Sequence, residues 1–329
     1  MKKLILAWSL IALAQMAIGQ QSKKESENGI AHTVTYLETA HRKIEVNGIS
    51  IFYRETGNPK KETILMLHGF PSSSHMYRDV MKKLASDFHV VAPDYPGFGF
   101  SDAPTIKEYE YTFHNVSLLM DAFVDKLDID SYYIMMQDYG GPIGFRMAVR
   151  NPEKVKGFIV QNANAYFEGL SGEWAQKYST MLEVGDMDGV LKIQNWWMSL
   201  EGLKEMYLNG VKDPSKVDPI SYLTDEALLR REGINEIQIT FLNNYGSNFD
   251  SYPAWQQYLR ENQPPTLIIW GIHDKFFSVD GAKAFSKDLK NVETHLIDGS
   301  HFLLELHSEE AAKLITEFIN KIQSSIFKK

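Results

Sequence analysis

Three segments of the sequence carry polar side chains that together could attack a substrate and move a proton. The first, MQDYGG at residues 136–141, leads from an apolar run directly into a helical pattern, with Asp138 at the turn. A sharp strand-to-helix turn exposes one side chain and needs small neighbours, which the two glycines provide. Asp274 and His301 each follow a later apolar run. This order predicts that Asp138 is a nucleophile and that Asp274 orients His301, the base.

The alternative role of Asp138 is structural, because an aspartate at the start of a helix often caps that helix. However, the chain contains no Gly-x-Ser-x-Gly segment that would offer a serine nucleophile instead. After the preceding apolar run, where the acid could also lie, the sequence has Asn162 and Asn164. The presence of all three groups in the expected order favours the catalytic interpretation, with Asp274 as the acid.

The loop at residues 68–71, His-Gly-Phe-Pro, follows the first of the buried apolar runs. An N–H group from such a loop and the N–H group after the nucleophile are the usual donors to a developing oxyanion. These donors are predicted here to be the backbone amides of Phe70 and Tyr139. His68 is expected to be structural and not a proton carrier.

Short apolar runs alternate with amphipathic stretches, a pattern typical of the α/β class. Runs without polar alternation indicate strands buried on both faces of a mostly parallel, twisted sheet flanked by helices. An Asn-Gly pair within residues 43–53 predicts an antiparallel hairpin at the start of the fold. The later predicted strands are residues 63–67, 89–92, 132–136, 157–160, 266–270 and 294–297.

One interval, residues 165–263, is rich in Trp, Tyr, Met and Leu at helical spacings and contains no strand-like run. It is predicted to be a helical lid, inserted before the last two strands, over the carboxyl ends of the strands, where open α/β sheets bind ligands. Residues 28–164 and 264–329 are predicted to form the core domain.

The N-terminus and the composition indicate where the protein acts. Residues 1–19 combine two lysines, a short apolar run and small residues, which predicts a signal peptide and export to the periplasm or the medium. The run is shorter than the ~20 apolar residues that a membrane span needs. The sequence contains no cysteine, so a disulfide is excluded. The net charge is -8, so nucleic acid is not an expected partner.

From about residue 32 to residue 327 the chain resembles the α/β-hydrolase fold family, in its haloalkane dehalogenase and epoxide hydrolase branch. The resemblance rests on the loop at 68–71, on DYPGFGFS at 94–101, on QDYGG at 137–141, and on Asp274 with His301. It implies the α/β-hydrolase fold and a nucleophilic aspartate. No metal or cofactor is expected, because the mechanism needs none and the His and carboxylate residues lack a ligand spacing.

A carboxylate nucleophile is suited to displacement at a saturated carbon, because the product is a stable alkyl ester. Attack on a carbonyl would give an anhydride with little advantage. His301 would then deprotonate a water that cleaves the ester of Asp138. The expected reaction is therefore displacement at a saturated carbon of a small apolar organic substrate, followed by attack of water. The His-Gly-x-Pro form of the loop at 68–71 resembles that of epoxide hydrolases, which implies an epoxide-hydrolase-like activity.

The leaving group is the open question within this branch. Epoxide hydrolases protonate the ring oxygen with lid tyrosines. The candidates here are Tyr222 and Tyr245, with Tyr166 and Tyr207 as second choices.

A haloalkane dehalogenase is the main alternative. That activity uses a tryptophan after the nucleophile, where this chain has Tyr139, so a lid tryptophan would have to help. The candidates are Trp174, Trp196 and Trp197. Further alternatives are an ester or lactone hydrolase, with Asp138 as a base, and a non-catalytic ligand-binding member of the fold.

Overall fold

The computed structural model describes residues 38–326. The fold opens with an antiparallel hairpin of β1 (Ala40–Val46) and β2 (Ile49–Thr56). Asn47 and Gly48 join the strands with positive φ angles of 51° and 81°. Both central residues of this tight hairpin turn need positive φ, which asparagine tolerates and glycine adopts freely. The predicted hairpin is therefore present.

The strands of the described residues form one eight-stranded sheet in the order β1-β2-β4-β3-β5-β6-β7-β8. β2 pairs with β4 antiparallel, and the pairs from β4 through to β8 are parallel. The later strands are β3 (Thr63–Leu67), β4 (His89–Pro93), β5 (Tyr132–Gln137), β6 (Val155–Gln161), β7 (Thr266–Gly271) and β8 (Val292–Ile297).

The central strands explain the apolar runs of the sequence. Every residue of β3, β4, β5 and β7 is buried. Helices cover the sheet because parallel strands need crossover connections, which place helices on its faces. These helices are α1 (Arg78–Leu84), α2 (Phe113–Lys126), α3 (Gly140–Arg150), α10 (Val279–Ala284) and α11 (Leu304–Ile326). The predicted mostly parallel α/β architecture is confirmed.

The chain between β6 and β7 is helical, as predicted for the lid. Its apolar side chains pack on one another and on the sheet, within one continuous hydrophobic cluster. The lid helices are α4 (Glu173–Glu183), α5 (Met187–Trp197), α6 (Leu200–Leu208), α7 (Ile220–Leu229), α8 (Ile234–Asn243) and α9 (Tyr252–Asn262).

The predicted signal peptide, residues 1–19, lies outside the described residues, so export stays a prediction. Within residues 38–326, no helix combines the length and the apolar character needed to cross a membrane.

Candidate active site

Asp138 lies in the sharp turn between β5 and α3. Its backbone is left-handed, with a φ of 49°, which is uncommon for a residue with a side chain. Two glycines make the turn possible: a Cβ on Gly140 would lie 1.9 Å from the carbonyl oxygen of Leu67, and one on Gly69 would lie 2.3 Å from the Cβ of Asp138. The sequence therefore folds so that one carboxylate stands at the carboxyl edge of the sheet.

The carboxylate of Asp138 is bound by backbone donors. The N–H group of Phe70 donates to its Oδ1 at 2.7 Å. Burial raises the pKa of Asp138 to about 6, while nearby His301 and the N–H groups of Phe70 and Tyr139 partly oppose that rise. The two amides predicted from sequence thus contact the carboxylate of Asp138, which is only 8% exposed.

Asp274 and His301 follow β7 and β8, and the fold brings them together. The Nδ1 of His301 lies 2.8 Å from Oδ2 of Asp274. The same Oδ2 accepts a hydrogen bond from Asn162 at 2.7 Å, and Oδ1 accepts from the N–H groups of Phe276 and Phe277 at 2.7 and 3.1 Å. Asp274 is therefore a fully bonded acceptor that fixes the orientation of the imidazole.

The Nε2 of His301 is the nitrogen left for proton transfer, because Nδ1–H points to Asp274. Burial, the largest single influence, lowers the pKa of His301, but the charges of Asp274 and Asp138 raise it above the ordinary value. The Nε2 atom accepts a hydrogen bond of 2.8 Å from the side-chain amide of Gln137. Sequence reasoning did not anticipate this contact.

His68 has a structural environment, in agreement with its expected role. Its Nδ1 donates to the carbonyl of Gly69 at 3.1 Å, and its Nε2 accepts from the N–H of Tyr95 at 3.3 Å. Burial lowers the pKa of His68 to about 4, so the ring is neutral at physiological pH. Both ring nitrogens are thus occupied by backbone groups.

A narrow cavity connects His301 with the lid. The space between its lining atoms is about 270 Å³, part of it open to solvent, which is below the usual range of ligand pockets. Tryptophan, methionine and phenylalanine side chains form the apolar part of its lining. The lining residues are Trp174, Trp196, Trp197, Glu205, Met206, Asn209, Lys275, Phe276 and His301.

The lid aromatics predicted from sequence lie in different places. Trp174 and Trp196 line the cavity and face each other, with ring centroids 5.1 Å apart. Tyr245 packs with its ring 6.1 Å from that of Tyr139, and burial raises the pKa of Tyr245, with a smaller contribution from the charge of Asp138. Tyr222 does not line this cavity, and its ring packs 6.2 Å from that of Tyr207.

The second-choice tyrosines donate to carboxylates away from the cavity. The hydroxyl of Tyr166 donates to Asp288 at 2.7 Å. The hydroxyl of Tyr207 donates to Asp225 at 2.6 Å. Both hydroxyls are therefore engaged in structural contacts and are poorly suited to protonate a substrate.

Tyr207 also fixes the lid to the catalytic edge of the sheet. Its ring stacks on Phe302, the neighbour of His301, at 3.9 Å with an angle of 6°. Asp225 on α7 accepts from Ser72, in the loop next to Phe70, at 3.2 Å. Burial raises the pKa of Asp225 to about 7, although the hydrogen bonds from Tyr207 and Ser72 oppose this.

Tyr178, a lid residue that was not selected from the sequence, packs against Trp197, which was selected. The hydroxyl of Tyr178 accepts a hydrogen bond from Gln194 at 2.7 Å, and its ring packs 5.3 Å from that of Trp197. The Nε1 of Trp197 and the hydroxyl of Tyr139 are buried and have no hydrogen-bond partner among the described residues. Aromatic residues are so frequent in this lid that their spacing alone could not single out Tyr178.

The fold and the arrangement of Asp138, Asp274 and His301 define an α/β hydrolase. The family model described as alpha/beta hydrolase fold matches residues 62–198. An uncharacterized hydrolase of Saccharomyces cerevisiae is 37% identical over 283 residues, covering 84% of this chain and 97% of that protein. The chain belongs to the α/β-hydrolase fold family, in its haloalkane dehalogenase branch, and is a hydrolase.

The branch is indicated by named relatives. Haloalkane dehalogenase 2 of Mycobacterium bovis is 41% identical over 274 residues, covering 80% of this chain and 88% of that protein. The crystal structure of haloalkane dehalogenase DbeA from Bradyrhizobium elkani superposes with a TM-score of 0.74 at 23% identity, covering 88% of this chain and all of that one. Among the described residues, no group of His and acidic side chains is arranged to hold a metal ion.

Proposed function

We propose that the enzyme cleaves its substrate through an ester formed on Asp138. The observation that carries this proposal is the 2.7 Å hydrogen bond from Phe70 to Oδ1, which leaves Oδ2 to attack. Oδ2 forms a bond to a saturated carbon, and the bond from that carbon to the leaving group breaks. Oδ1 becomes the carbonyl oxygen of the ester and keeps its hydrogen bond from the backbone N–H of Phe70.

Ester cleavage uses His301 as a general base. Water loses a proton to Nε2 while its oxygen bonds to Cγ of Asp138, and the resulting oxyanion is stabilised at Oδ1. The ester has no charge, so one of the two carboxylates that raise the pKa of His301 is removed at this stage. The imidazole is therefore more readily neutral, and able to accept a proton, once the ester has formed.

The leading substrate class is a small apolar epoxide. Opening the ring leaves an alkoxide that needs a proton, and a lid phenol can supply it. Tyr178 is the best-supported donor, because its hydroxyl accepts from Gln194 and keeps its own hydrogen for donation. That accepted bond opposes the rise in the pKa of Tyr178 caused by burial, so it favours proton release.

A haloalkane is the second candidate substrate, favoured by a separate observation. The indole N–H of Trp197 and the hydroxyl of Tyr139 are buried donors without a partner among the described residues. A halide leaving group would satisfy such donors, since leaving a buried donor unpaired costs about 1–3 kcal/mol. The names of the relatives in the haloalkane dehalogenase branch support the same alternative.

The deciding experiment follows oxygen and product together. Under single-turnover conditions in oxygen-18 water, with styrene oxide and with a bromoalkane, the first product should carry unlabelled oxygen from Asp138. Diol formation identifies an epoxide hydrolase, and bromide release identifies a dehalogenase. Label in the first product would instead mean direct attack by water, with Asp138 as a base, as in the ester or lactone alternative.

The same preparation tests the binding-protein alternative. Asp138→Ala should abolish turnover of whichever substrate is accepted, with the fold checked by circular dichroism. Full turnover by that variant would contradict the ester mechanism. Binding of either compound without any turnover by the wild-type protein would support a ligand receptor.

A further inference from the structure

The base nitrogen of His301 is already occupied in this structure. The Nε2 of Gln137 lies 2.8 Å from the Nε2 of His301. Because Asp274 can only accept, the Nδ1 of His301 carries the hydrogen in the neutral ring, and Nε2 offers a lone pair. The amide of Gln137 is therefore the donor, and it covers the atom that must later take a proton from water.

The position of Gln137 is set by the end of a buried strand. It is the last residue of β5 and is fully buried, at 0% exposure. A Cβ on Gly69 would lie 2.4 Å from its Oε1, so the glycine provides the space for the amide. That Oε1 has no hydrogen-bond partner among the described residues, and burying an unpaired acceptor is costly.

The rings packed against the imidazole cannot bind a water, and the polar side chains that share its cavity have other partners: Asn209 donates to Glu205, and Lys275 donates to Glu173. The rings of Phe276, Phe277 and Phe302 lie 5.1 to 5.7 Å from that of His301 and are apolar. The charged groups near the imidazole are Asp274 and Asp138, together with Glu205 and Lys275, which line the same cavity.

Both catalytic carboxylates have other partners. Asp274 is bonded to Nδ1, to Asn162 and to backbone N–H groups, and Asp138 is the group to be esterified. The side-chain amide of Gln137 is thus the polar group best placed beside Nε2 to hold a water.

We propose that Gln137 is the positioning residue for the hydrolytic water. During ester formation, which needs no base, its amide covers Nε2. After ester formation, a water enters between the two side chains, accepts from the amide of Gln137 and donates to Nε2 of His301. The water proton passes to Nε2, the water oxygen bonds to Cγ of Asp138, and the bond between Cγ and Oδ2 breaks, so that Oδ2 leaves as the alcohol oxygen of the product. The proton then moves from Nε2 to the departing alcohol oxygen.

This inference rests on the proposed ester mechanism and concerns only its second half. The primary test is Gln137→Met, which keeps the length of the side chain and removes the amide. Rapid quenching with styrene oxide, followed by intact-protein mass spectrometry, measures formation and decay of the ester separately. Ester decay should slow by about tenfold or more, with ester formation changed by less than about threefold, so that the ester accumulates.

The second test, Gln137→Glu, gives a pH signature that a purely structural role would not produce. A carboxylate at this position would accept from a protonated Nε2 and stabilise the imidazolium. The pH dependence of ester decay should therefore move up by about one unit or more. This variant is nearly isosteric, so it keeps the proposal testable if the methionine variant folds poorly.

Gln238→Met is the matched control. Gln238, on α8, is equally buried, and its amide donates to the backbone carbonyl of Gly97 at 3.0 Å and not to the His301 ring. This change should affect both half-reactions by a similar factor and leave the pH profile in place. Equal slowing of both half-reactions in Gln137→Met, or an unshifted profile in Gln137→Glu, would overturn the inference.

Failure of the proposed function would look different. His301→Phe lacks the base and should trap the ester at full occupancy. If neither this variant nor the wild-type protein ever forms an ester with styrene oxide or a bromoalkane, the ester mechanism itself is wrong. If the ester is trapped in His301→Phe but decays at the wild-type rate in Gln137→Met, only the role of Gln137 is wrong.

Discussion

The backbone N–H of Phe70 lies 2.7 Å from Oδ1 of Asp138, so the two oxygens of this carboxylate are not equivalent. Oδ1 has a donor before any substrate arrives. In the proposed mechanism Oδ2 is the attacking atom, and the negative charge of ester cleavage develops on Oδ1, the oxygen that already has its donor. The same hydrogen bond would then serve both formation and cleavage of the ester.

Ester formation should depend on ionisation of Asp138. Because burial raises the pKa of this carboxyl to about 6, the attacking carboxylate is lost as the pH falls through that value. The single-turnover rate of ester formation should rise about tenfold for each pH unit below 6 and level off above it. Rapid-quench rates between about pH 4 and pH 8 measure this. A flat profile over that range would contradict the role of Asp138.

The same raised pKa predicts that Asp138 destabilises the fold above its titration range. The carboxyl titrates near 3.8 in the unfolded chain and near 6 in the folded state, which therefore binds the proton more tightly. The free energy of unfolding consequently falls as the pH rises from about 3.8 to about 6. Asp138→Asn should therefore raise the free energy of unfolding above pH 6, by on the order of 2 kcal/mol. Denaturant unfolding at several pH values measures the difference.

The gain from Asp138→Asn should disappear as the pH approaches about 4, where the wild-type carboxyl is protonated as well. The control is Asp188→Asn, an exposed aspartate on α5, which should change stability little at any pH. A gain that is independent of pH would mean that ionisation is not its cause.

Asn162 is predicted to support the acid of the relay. It donates to Asp274 at 2.7 Å and accepts from the N–H of Gly271 at 2.9 Å. Asn162→Ala should cost about 1–3 kcal/mol of stability, because both partners are buried. It should also slow ester decay more than ester formation, since only decay uses His301.

The control for Asn162 is its neighbour Asn164, which is also buried but whose side-chain atoms have no hydrogen-bond partner among the described residues. Asn164→Ala should leave the ratio of the two half-reaction rates unchanged. Similar effects of both variants on that ratio would contradict a specific role for Asn162.

Tyr178 separates the two candidate substrates. If it protonates the epoxide oxygen, Tyr178→Phe should slow diol formation by about 100-fold and leave bromide release from a bromoalkane nearly unchanged, because a halide needs no proton. Steady-state assays of both products measure this. Tyr222→Phe is the control, since that ring lies on α7 beside Tyr207, whereas the ring of Tyr178 packs 5.3 Å from that of Trp197, which lines the cavity. Equal decreases in diol formation and bromide release would show that Tyr178 has a structural role and is not the proton donor.

The scaffold could be predicted well because burial determines which positions of the sequence are apolar. Strands covered on both faces are continuous apolar runs, so β3, from Thr63 to Leu67, was found with its exact bounds. Bounds elsewhere differed by a few residues: β6 begins at Val155, two residues before the predicted start, because its first residues are only partly buried. The long insertion was recognised because helical spacing and aromatic content persist over its length.

The candidate site was predicted only in part. Residues at strand ends could be located because the carboxyl ends of parallel strands meet at one edge of the sheet. Gln137 was not assigned a role, because its importance depends on a side-chain direction toward His301 that sequence does not encode. The lid tyrosines could not be ranked, because which hydroxyl is free depends on distant partners such as Gln194 for Tyr178.

The stacked rings of Tyr207 and Phe302 link the cover of the pocket to the backbone that carries the histidine. Substrate range in such a scaffold cannot be redesigned by exchanging the cover alone. In a chimaera, the foreign cover would have to supply a ring that stacks on Phe302 as Tyr207 does. Without that ring the imidazole would be displaced, and turnover would fall even when the new pocket fits its compound.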